Sequence, residues 1–313
     1  MMTAFMTGKS PPVLLIQGPT ASGKSALALA LAKRLGGEII NADSMQIYAD
    51  LRVLTARPSL EEEAQAPHHL YGFADAGERF SVGAWLRLVV PVIEAVQARN
   101  ARPILVGGTG LYFKALTQGL AEIPAIPPAI RNALQARMDA QGGPALHAEL
   151  ARIDPEAAAG IKPGDDVRIL RALEVYETTG ERLSILRQAT TPVLPAPAWK
   201  GLALIPDRAQ LYASINARFT AMLAAGALVE AETLMGRNLD PLLPCMKAHG
   251  APWLMAHLRG AMSLQDAAAL ASRDTRRYAK RQFTWLAHQA DDWPRLQMAD
   301  LAGRIEAALA EVG

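Results

Sequence analysis

"LLIQGPTASGKSALALALAKRL", residues 14–35, passes from an apolar run through a glycine-rich turn into an alanine-rich segment. Val13–Gln17, bounded by Pro12 and Gly18, reads as a short buried strand, and the pattern from Lys24 to Leu35 is helical. Between them Gly18, Pro19, Thr20, Ala21, Ser22, Gly23, Lys24 and Ser25 match G-x-x-x-x-G-K-[ST] in a strand–turn–helix setting, the context that makes this pattern a phosphate-binding loop. The glycines let backbone N–H groups converge on an anion, and the helix N-terminus adds positive potential. Lys24 contributes a full charge, and the Ser25 hydroxyl suits a bound Mg²⁺.

Working outward, "GGEIINADS" predicts a second strand, Glu38 to Ala42, and a helix follows from Ser81 to Arg99 with a break or kink at Pro91. "RPILVGGTG" predicts a third buried strand ending in glycines. Strands separated by helices imply an α/β fold, a parallel sheet core flanked by helices, whose ligands sit beyond the carboxyl ends of the strands. Those ends carry Gly18, Asp43 and Gly107. From about Gly119 the proline-rich "LAEIPAIPPAI" leads into alanine-rich helical patterns that run to about Gln188, and "TTPVLPAP" closes them. "KGLALIPD" then returns a strand to the sheet, and helices follow to the end. The expected organisation is a core of residues 1–118 and 189–313, interrupted by a helical insertion of residues 119–188.

With 313 residues, half of them apolar, the chain can bury a large core, and its net charge is only +2. The charge is uneven, however. Between Pro241 and Ala290 seven Lys or Arg stand against two Asp, leaving +5 in that segment, which fits either a polyanionic partner or a solvated helix face. Cys245 is the single cysteine, so no intrachain disulfide forms, as suits a reducing compartment. The start, MMTAFMTGKSPP, has no long apolar segment, and no run of about 18 apolar residues occurs elsewhere, so a cytoplasmic protein without a membrane span is expected. "PHHL", residues 67–70, lacks partners at metal-ligand spacing.

A phosphate loop alone does not specify a nucleotide. An ATPase places an acid after a buried strand to help hold Mg²⁺, but here the third strand ends in glycines and Thr109. The carboxylate stands after the second strand, at Asp43, where it faces an acceptor or caps a helix starting near Ser44. A small-molecule kinase using ATP, and an RNA-binding module with an idle loop, are the competing readings.

"GPTASGKS", "NADSMQIY", "TARPS", "PHHLYGF", "PILVGGTGLY", "DVRILRALEVYETTGERLS" and "TRRYAKRQFTW" occur in an order and spacing that resemble the tRNA dimethylallyltransferases, from about Pro12 to Trp285. The resemblance implies a fold like that of the P-loop kinases. It also implies transfer of a dimethylallyl group from dimethylallyl diphosphate to the exocyclic amine of the adenosine 3′ of the tRNA anticodon, with release of diphosphate. On this reading Asp43 is the catalytic base, Thr109 lies near the bridging oxygen of the diphosphate, and Lys24 and Arg218 meet its charge. Gly18 to Ser25 cradle it, with Mg²⁺ on Ser25.

The tRNA anticodon stem-loop is expected to meet Asp43, Ser44, Met45, Gln46, Thr109 and Lys247. In the insertion it is expected to meet Arg131, Val167, Arg168, Ile169, Leu170 and Arg171, and Arg276 and Arg277 on the basic segment. The protein is read as a monomer. Leu54 and Gly164 stand where the family commonly has glycine and asparagine, and Gly250-Ala251-Pro252 replaces its usual Gly-Tyr-Arg/Lys element, which bears on the tRNA grip near Lys247.

Overall fold

The computed structural model describes residues 11–298 and 300–312; the MMTAFMTGKS stretch read for a leader lies outside them. β1 (Val13–Gln17) is buried along its whole length. α1 (Lys24–Leu35) begins where Gly23 takes a left-handed N-cap, φ 84°, and ends at a left-handed Gly36, φ 60°, whose N–H closes onto the Ala32 carbonyl. β2 (Gly37–Asn41) starts one residue earlier than the apolar pattern predicts. α2 (Leu60–Glu63) is one turn held by a Ser59–Glu62 capping box, and β3 (His68–His69) is a two-residue strand. α3 (Val82–Ala98) is capped by the Ser81 side chain, contains Pro91, and precedes β4 (Arg102–Gly107) and α4 (Gly110–Thr117).

The described chain forms two compact units: the residues through Thr117 together with those from Leu194 onward, and a second unit of Gln118–Val193. The second contains α5 (Pro128–Gln141), α6 (Gly143–Ile153), α7 (Pro155–Ala159), α8 (Asp166–Thr179) and α9 (Leu183–Gln188). Its core gathers Leu134, Leu146, Leu150, Ile169, Leu173 and Leu183. Buried Asp154 ties its ends together, accepting from the Ala157 N–H at 3.1 Å, the Ser184 N–H at 3.0 Å and the Ser184 hydroxyl at 2.6 Å. Such charge-assisted bonds keep a buried carboxylate tolerable.

The first unit resumes with β5 (Trp199–Leu204), α10 (Arg208–Ala224) and α11 (Ala227–Gly236). A 3₁₀ turn at Cys245–Lys247, α12 (Ala251–Leu258), α13 (Leu264–Gln289), β6 (Arg295–Leu296) and α14 (Leu301–Val312) complete it. The six strands are parallel in the order β3-β2-β4-β1-β5-β6. Gln17 pairs with Gly107 on one side and Ala203 on the other, and Asn41 with Val106, so the carboxyl ends lie level.

That alignment brings the turn after β1, Asp43 after β2 and the glycines after β4 to one edge. The corner is fixed from below, because buried Trp85 donates its indole N–H to the Asn41 carbonyl at 3.1 Å and stacks on Tyr112 with ring centroids 4.1 Å apart. Among the described residues no single helix is long and apolar enough to cross a membrane.

Candidate active site

The phosphate turn is shaped for an anion. Gly23 offers no side-chain acceptor at the start of α1, which leaves the first-turn N–H groups to a ligand. Ser22 Oγ is buried inside the turn without a hydrogen-bond partner. Lys24 Nζ donates to the Pro19 carbonyl at 3.4 Å. Burial pushes the Lys24 ammonium down to about 8; the negative charge of Asp43 opposes this and Arg218 adds to it.

Arg218, on α10, donates from Nη2 to the Thr20 hydroxyl at 2.5 Å. Burial also lowers the Arg218 pKa, again against the pull of Asp43, but a guanidinium stays charged at any ordinary pH. Two cations largely removed from water, with Asp43 as the carboxylate that both feel, hold positive charge an anionic ligand would neutralise.

Asp43 is set by its neighbours and not by a helix. Its N–H donates to Asn41 Oδ1 at 2.8 Å, and Asn41 Nδ2 donates to the Asp43 carbonyl and to the Leu70 carbonyl, each at 3.0 Å. Asp43 Oδ1 accepts the Met45 N–H at 2.9 Å, an Asx-type turn. The expected alternative, Asp43 capping a helix that starts near Ser44, is therefore corrected, because no helix follows it. Residues 46–49 are drawn into backbone pairing with 72–74, through Gly72 N–H to the Gln46 carbonyl, Ala74 N–H to the Ile47 carbonyl and Ala49 N–H to the Ala74 carbonyl, each at 2.9 Å.

Thr109 Oγ1 accepts the Ser44 N–H at 2.9 Å and donates to Ser44 Oγ at 3.2 Å, joining the end of β4 to the chain leaving β2. The glycines before it are required by close approach. A Cβ on Gly107 would lie 2.0 Å from the Ala42 carbonyl oxygen, and one on Gly108 2.3 Å from Gln282 Nε2.

Around this edge opens a cavity. Thr20, Asp43 and Arg218 form part of its wall, Met45, Leu54, Ile215, Phe219 and Met222 make an apolar part, and Thr55, His249, Thr275 and Tyr278 complete it. Of the predicted residues the structure thus brings Thr20, Asp43, Met45 and Arg218 to one cavity, with Lys24 close enough to feel two of their charges. Ser25 is exposed in the first turn of α1. Gln46 spends its amide donors on the Thr55 and Ala56 carbonyls at 2.9 and 2.8 Å, so its side chain braces the loop beside Leu54. Lys247 is exposed and lines a separate groove with Met235, Leu239, Pro252 and Arg259.

Arg276 is tied to Asn216 Oδ1 at 2.6 Å, and Arg277 is exposed and 3.5 Å from Asp274. In the helical unit Arg131 and Arg171 both pair with Glu174, at 3.4 and 3.5 Å, while Arg168 pairs with Asp165 at 3.4 Å. Val167 is 79% exposed and Leu170 packs at the edge of that unit's core. Ile169 is fully buried there, which corrects its assignment as an RNA-contacting side chain: its place on the inner face of α8 commits it to packing.

Sequence reasoning missed Leu54, Phe219, His249 and Thr275 as cavity residues, and Gln282 as a link. Gln282 Oε1 accepts the Thr20 N–H and Gln282 Nε2 donates to the Gly108 carbonyl, both at 2.9 Å. The signal was present in "TRRYAKRQFTW": Thr275, Tyr278 and Gln282 recur at helical spacing as an inward polar stripe on a helix whose other face is basic. His249 packs against Tyr278 with the rings tilted by 39° and centroids 4.5 Å apart, and burial, helped by Arg281, lowers its pKa. Cys245 is buried and its thiol is pushed up to about 12, so it is no nucleophile.

Among the described residues no group of three or more His, Cys, Asp or Glu is placed to hold a metal. Mg²⁺ needs no such cage, since it commonly keeps several waters and takes its remaining ligands from substrate phosphates. An exposed Ser25 hydroxyl at the mouth of the phosphate turn fits an ion held that way.

Phosphate-binding chemistry on one strand end, a carboxylate on the next and glycines in place of an acid on the third define a transferase on a P-loop NTPase-like fold. A family model described as IPP transferase matches residues 46–289, and one described as isopentenyl transferase matches residues 11–72. A tRNA dimethylallyltransferase of Rhodopseudomonas palustris is 54% identical over 296 residues, spanning 94% of this chain and 92% of the relative. One from Hyphomonas neptunium is 50% identical over 300 residues, 96% of this chain and 95% of the relative.

Among solved structures, the tRNA isopentenylpyrophosphate transferase of Bacillus halodurans superposes with a TM-score of 0.66 at 34% identity, covering 96% of this chain and 99% of that one. A eukaryotic dimethylallyltransferase acting on tRNA superposes with a TM-score of 0.80 at 27% identity, covering 94% and 75%. The chain belongs to the IPP transferase family, that of the tRNA dimethylallyltransferases. That membership favours prenyl transfer over the small-molecule kinase.

Proposed function

We propose that the protein transfers a dimethylallyl group from dimethylallyl diphosphate to N6 of the adenosine 3′-adjacent to the tRNA anticodon, releasing diphosphate. The observation that carries this reading is the cavity itself. Arg218 and Asp43 line it together, Lys24 senses both, and an apolar wall adjoins them. A polyanionic leaving group, an amine that must lose a proton and a hydrocarbon to be kept from water each find a matching surface.

In the reaction the N6 lone pair attacks C1 of the prenyl chain as the C1–O bond breaks, and the bond electrons leave on the bridging oxygen. First-turn N–H groups of α1, Lys24 and Arg218 stabilise the charge that develops on diphosphate. Thr109, fixed against Ser44, is our candidate for the hydrogen bond at the bridging oxygen. Asp43, fixed by Asn41 and by its turn onto Met45, accepts the N6 proton. Met45, Leu54, Phe219 and Met222 surround the hydrocarbon and exclude water. Mg²⁺ at Ser25, when bound with the substrate, would supply further neutralisation of the phosphate oxygens.

For the RNA, surface cations supply affinity. Exposed Arg277 and Lys247 with half-buried Arg276 are the candidates in the first unit, and exposed Arg168 with half-buried Arg131 and Arg171, beside exposed Val167, those in the helical unit. Gly250, Ala251 and Pro252 form the start of α12, three residues after Lys247 in sequence. The enzyme is read as a cytoplasmic monomer, where its RNA substrate resides.

The test is incubation with an unmodified anticodon stem-loop and dimethylallyl diphosphate, followed by mass spectrometry of the RNA. A five-carbon addition on the adenosine beside the anticodon is expected. Unmodified RNA together with ATP turnover on a small acceptor would overturn the proposal in favour of a kinase.

A further inference from the structure

Three segments distant in sequence meet at one buried amide. The Thr20 N–H, in the phosphate turn, donates to Gln282 Oε1, and Gln282 Nε2 donates to the carbonyl of Gly108, one residue before Thr109. Gln282 is 6% exposed. The fit leaves no slack, because a Cβ on Gly108 would sit 2.3 Å from Gln282 Nε2 and 3.5 Å from Asp43 Oδ2. The same Thr20 whose N–H is taken by Gln282 receives Arg218 on its hydroxyl. Gln282 therefore touches the loop that carries Lys24 on one side and the loop that carries Thr109 on the other, while Asp43 borders the second of these.

We infer that Gln282 is a positioning residue for prenyl transfer: its amide sets the separation between the diphosphate cradle and the Thr109 loop. The inference rests on the function proposed above. Its physical basis is the dependence of a displacement reaction on placement. The cradle holds the leaving group, the Thr109 loop borders the bond that breaks, and Asp43 meets the incoming amine. A displacement of about 1 Å between such groups costs on the order of 100-fold in rate. Both contacts of Gln282 are to backbone atoms, so its influence extends to whole loops and not to one side chain. It is carried on the 26-residue α13, whose Tyr278 lines the same cavity as Asp43 and Arg218. A glutamine suits the task because one planar group presents a donor and an acceptor at fixed separation.

Two variants separate the parts of this role. Gln282→Leu removes both bonds at similar volume. Gln282→Glu keeps an acceptor for the Thr20 N–H but loses the donor to Gly108. Each is measured for thermal melting, for kcat and KM with dimethylallyl diphosphate and an anticodon stem-loop, for the Kd of inorganic diphosphate with Mg²⁺, and for the Kd of the stem-loop alone.

For Gln282→Leu we expect kcat to fall about 10- to 100-fold and the diphosphate Kd to rise about tenfold, with stem-loop Kd within about twofold of wild type. Gln282→Glu should lower kcat by a similar factor. A folded Gln282→Leu with wild-type kcat and diphosphate affinity overturns the inference. So does a loss of kcat, diphosphate binding and stem-loop binding in equal proportion, the mark of general damage. If Gln282→Leu does not fold, Gln282→Glu decides alone, and wild-type kcat in that variant overturns the inference. Failure of the wild-type enzyme to transfer any prenyl group would instead refute the proposed function, so the two failures are distinct.

Discussion

Arg218 reaches from α10 into the phosphate turn and donates a 2.5 Å hydrogen bond to the hydroxyl of Thr20, a residue 198 positions earlier in the chain. The contact aims a rigid guanidinium at the phosphate turn, where the proposed reaction develops charge on diphosphate. Arg218→Lys should therefore raise the Kd for diphosphate by about 10- to 100-fold, since an ammonium loses the planar fork. Thr20→Val removes only the orienting hydroxyl and should cost about tenfold or less. Isothermal titration with inorganic diphosphate reads both, and wild-type affinity in Arg218→Lys would remove the residue from the site.

Lys24 makes a pH prediction. Burial lowers its pKa from 10.5 to about 8, so the free enzyme loses this charge as pH rises through about 8. The protonated form should bind diphosphate more tightly than the neutral form, because it adds a full positive charge to those of Arg218 and the turn N–H groups. kcat/KM for dimethylallyl diphosphate should thus decline above that pH while the Kd of the stem-loop changes less. In Lys24→Arg, whose side chain stays charged, the same decline should be absent. A pH profile of kcat/KM for the two enzymes gives the answer.

Asp43 permits a separation of chemistry from folding. Asp43→Asn retains an oxygen to accept the Met45 N–H, so the turn survives, but the amide is no base. Its kcat should fall about 10²- to 10⁴-fold with stem-loop Kd and melting temperature near wild type. Asp43→Ala loses the turn as well and should melt lower than Asp43→Asn. A normal kcat in Asp43→Asn would exclude proton transfer to this carboxylate.

Leu54 stands on a braced loop. Glu230 accepts the N–H groups of Arg52, Val53 and Leu54 at 2.8, 2.7 and 2.9 Å, which keeps the Leu54 side chain in the cavity wall. Glu230→Ala strands three backbone donors and should cost about 2–4 kcal/mol, measurable by denaturant titration. Leu54→Gly removes an apolar side chain from the cavity wall and widens it, so transfer from geranyl diphosphate relative to dimethylallyl diphosphate should rise. An unchanged ratio in competition assays would place the hydrocarbon elsewhere.

The basic face of α13 is tested by salt. Arg277, Lys280 and Arg281 are exposed on the helix that carries Gln282 on its inner face. Each phosphate contact contributes roughly 0.7 to 0.9 to the slope of log K against log salt, so Arg277→Ala should reduce the slope by about that amount. An unaltered slope would return this face to solvent.

Much of the scaffold was readable from local pattern. The apolar run of β1 and the helical period of α1 coincide with the structure, because a buried strand and an amphipathic helix each impose a short-range signature. β3 and β6 went unread, since two-residue strands at or near a sheet edge are defined by their partners and leave no pattern of their own. Locally the chain after Asp43 has the pattern of a helix start, but its backbone pairing with residues 72–74 holds it out of a helix. Ile169 sat in a motif segment with two arginines, but its side chain faces the core of its own unit.

By itself the sequence determined that a phosphate loop opens the fold, that strand ends carry Asp43 and the glycines before Thr109, and that one stretch is strongly basic. These are properties of consecutive residues, where spacing alone sets chemistry. Only the tertiary structure decided that Arg218 answers to Thr20, that Leu54 and Phe219 wall the cavity, and that Gln282 links two loops. Those relations arise because a parallel sheet brings its strand ends level and lays distant helices across them, so the site's geometry resides in packing between segments that no local pattern records.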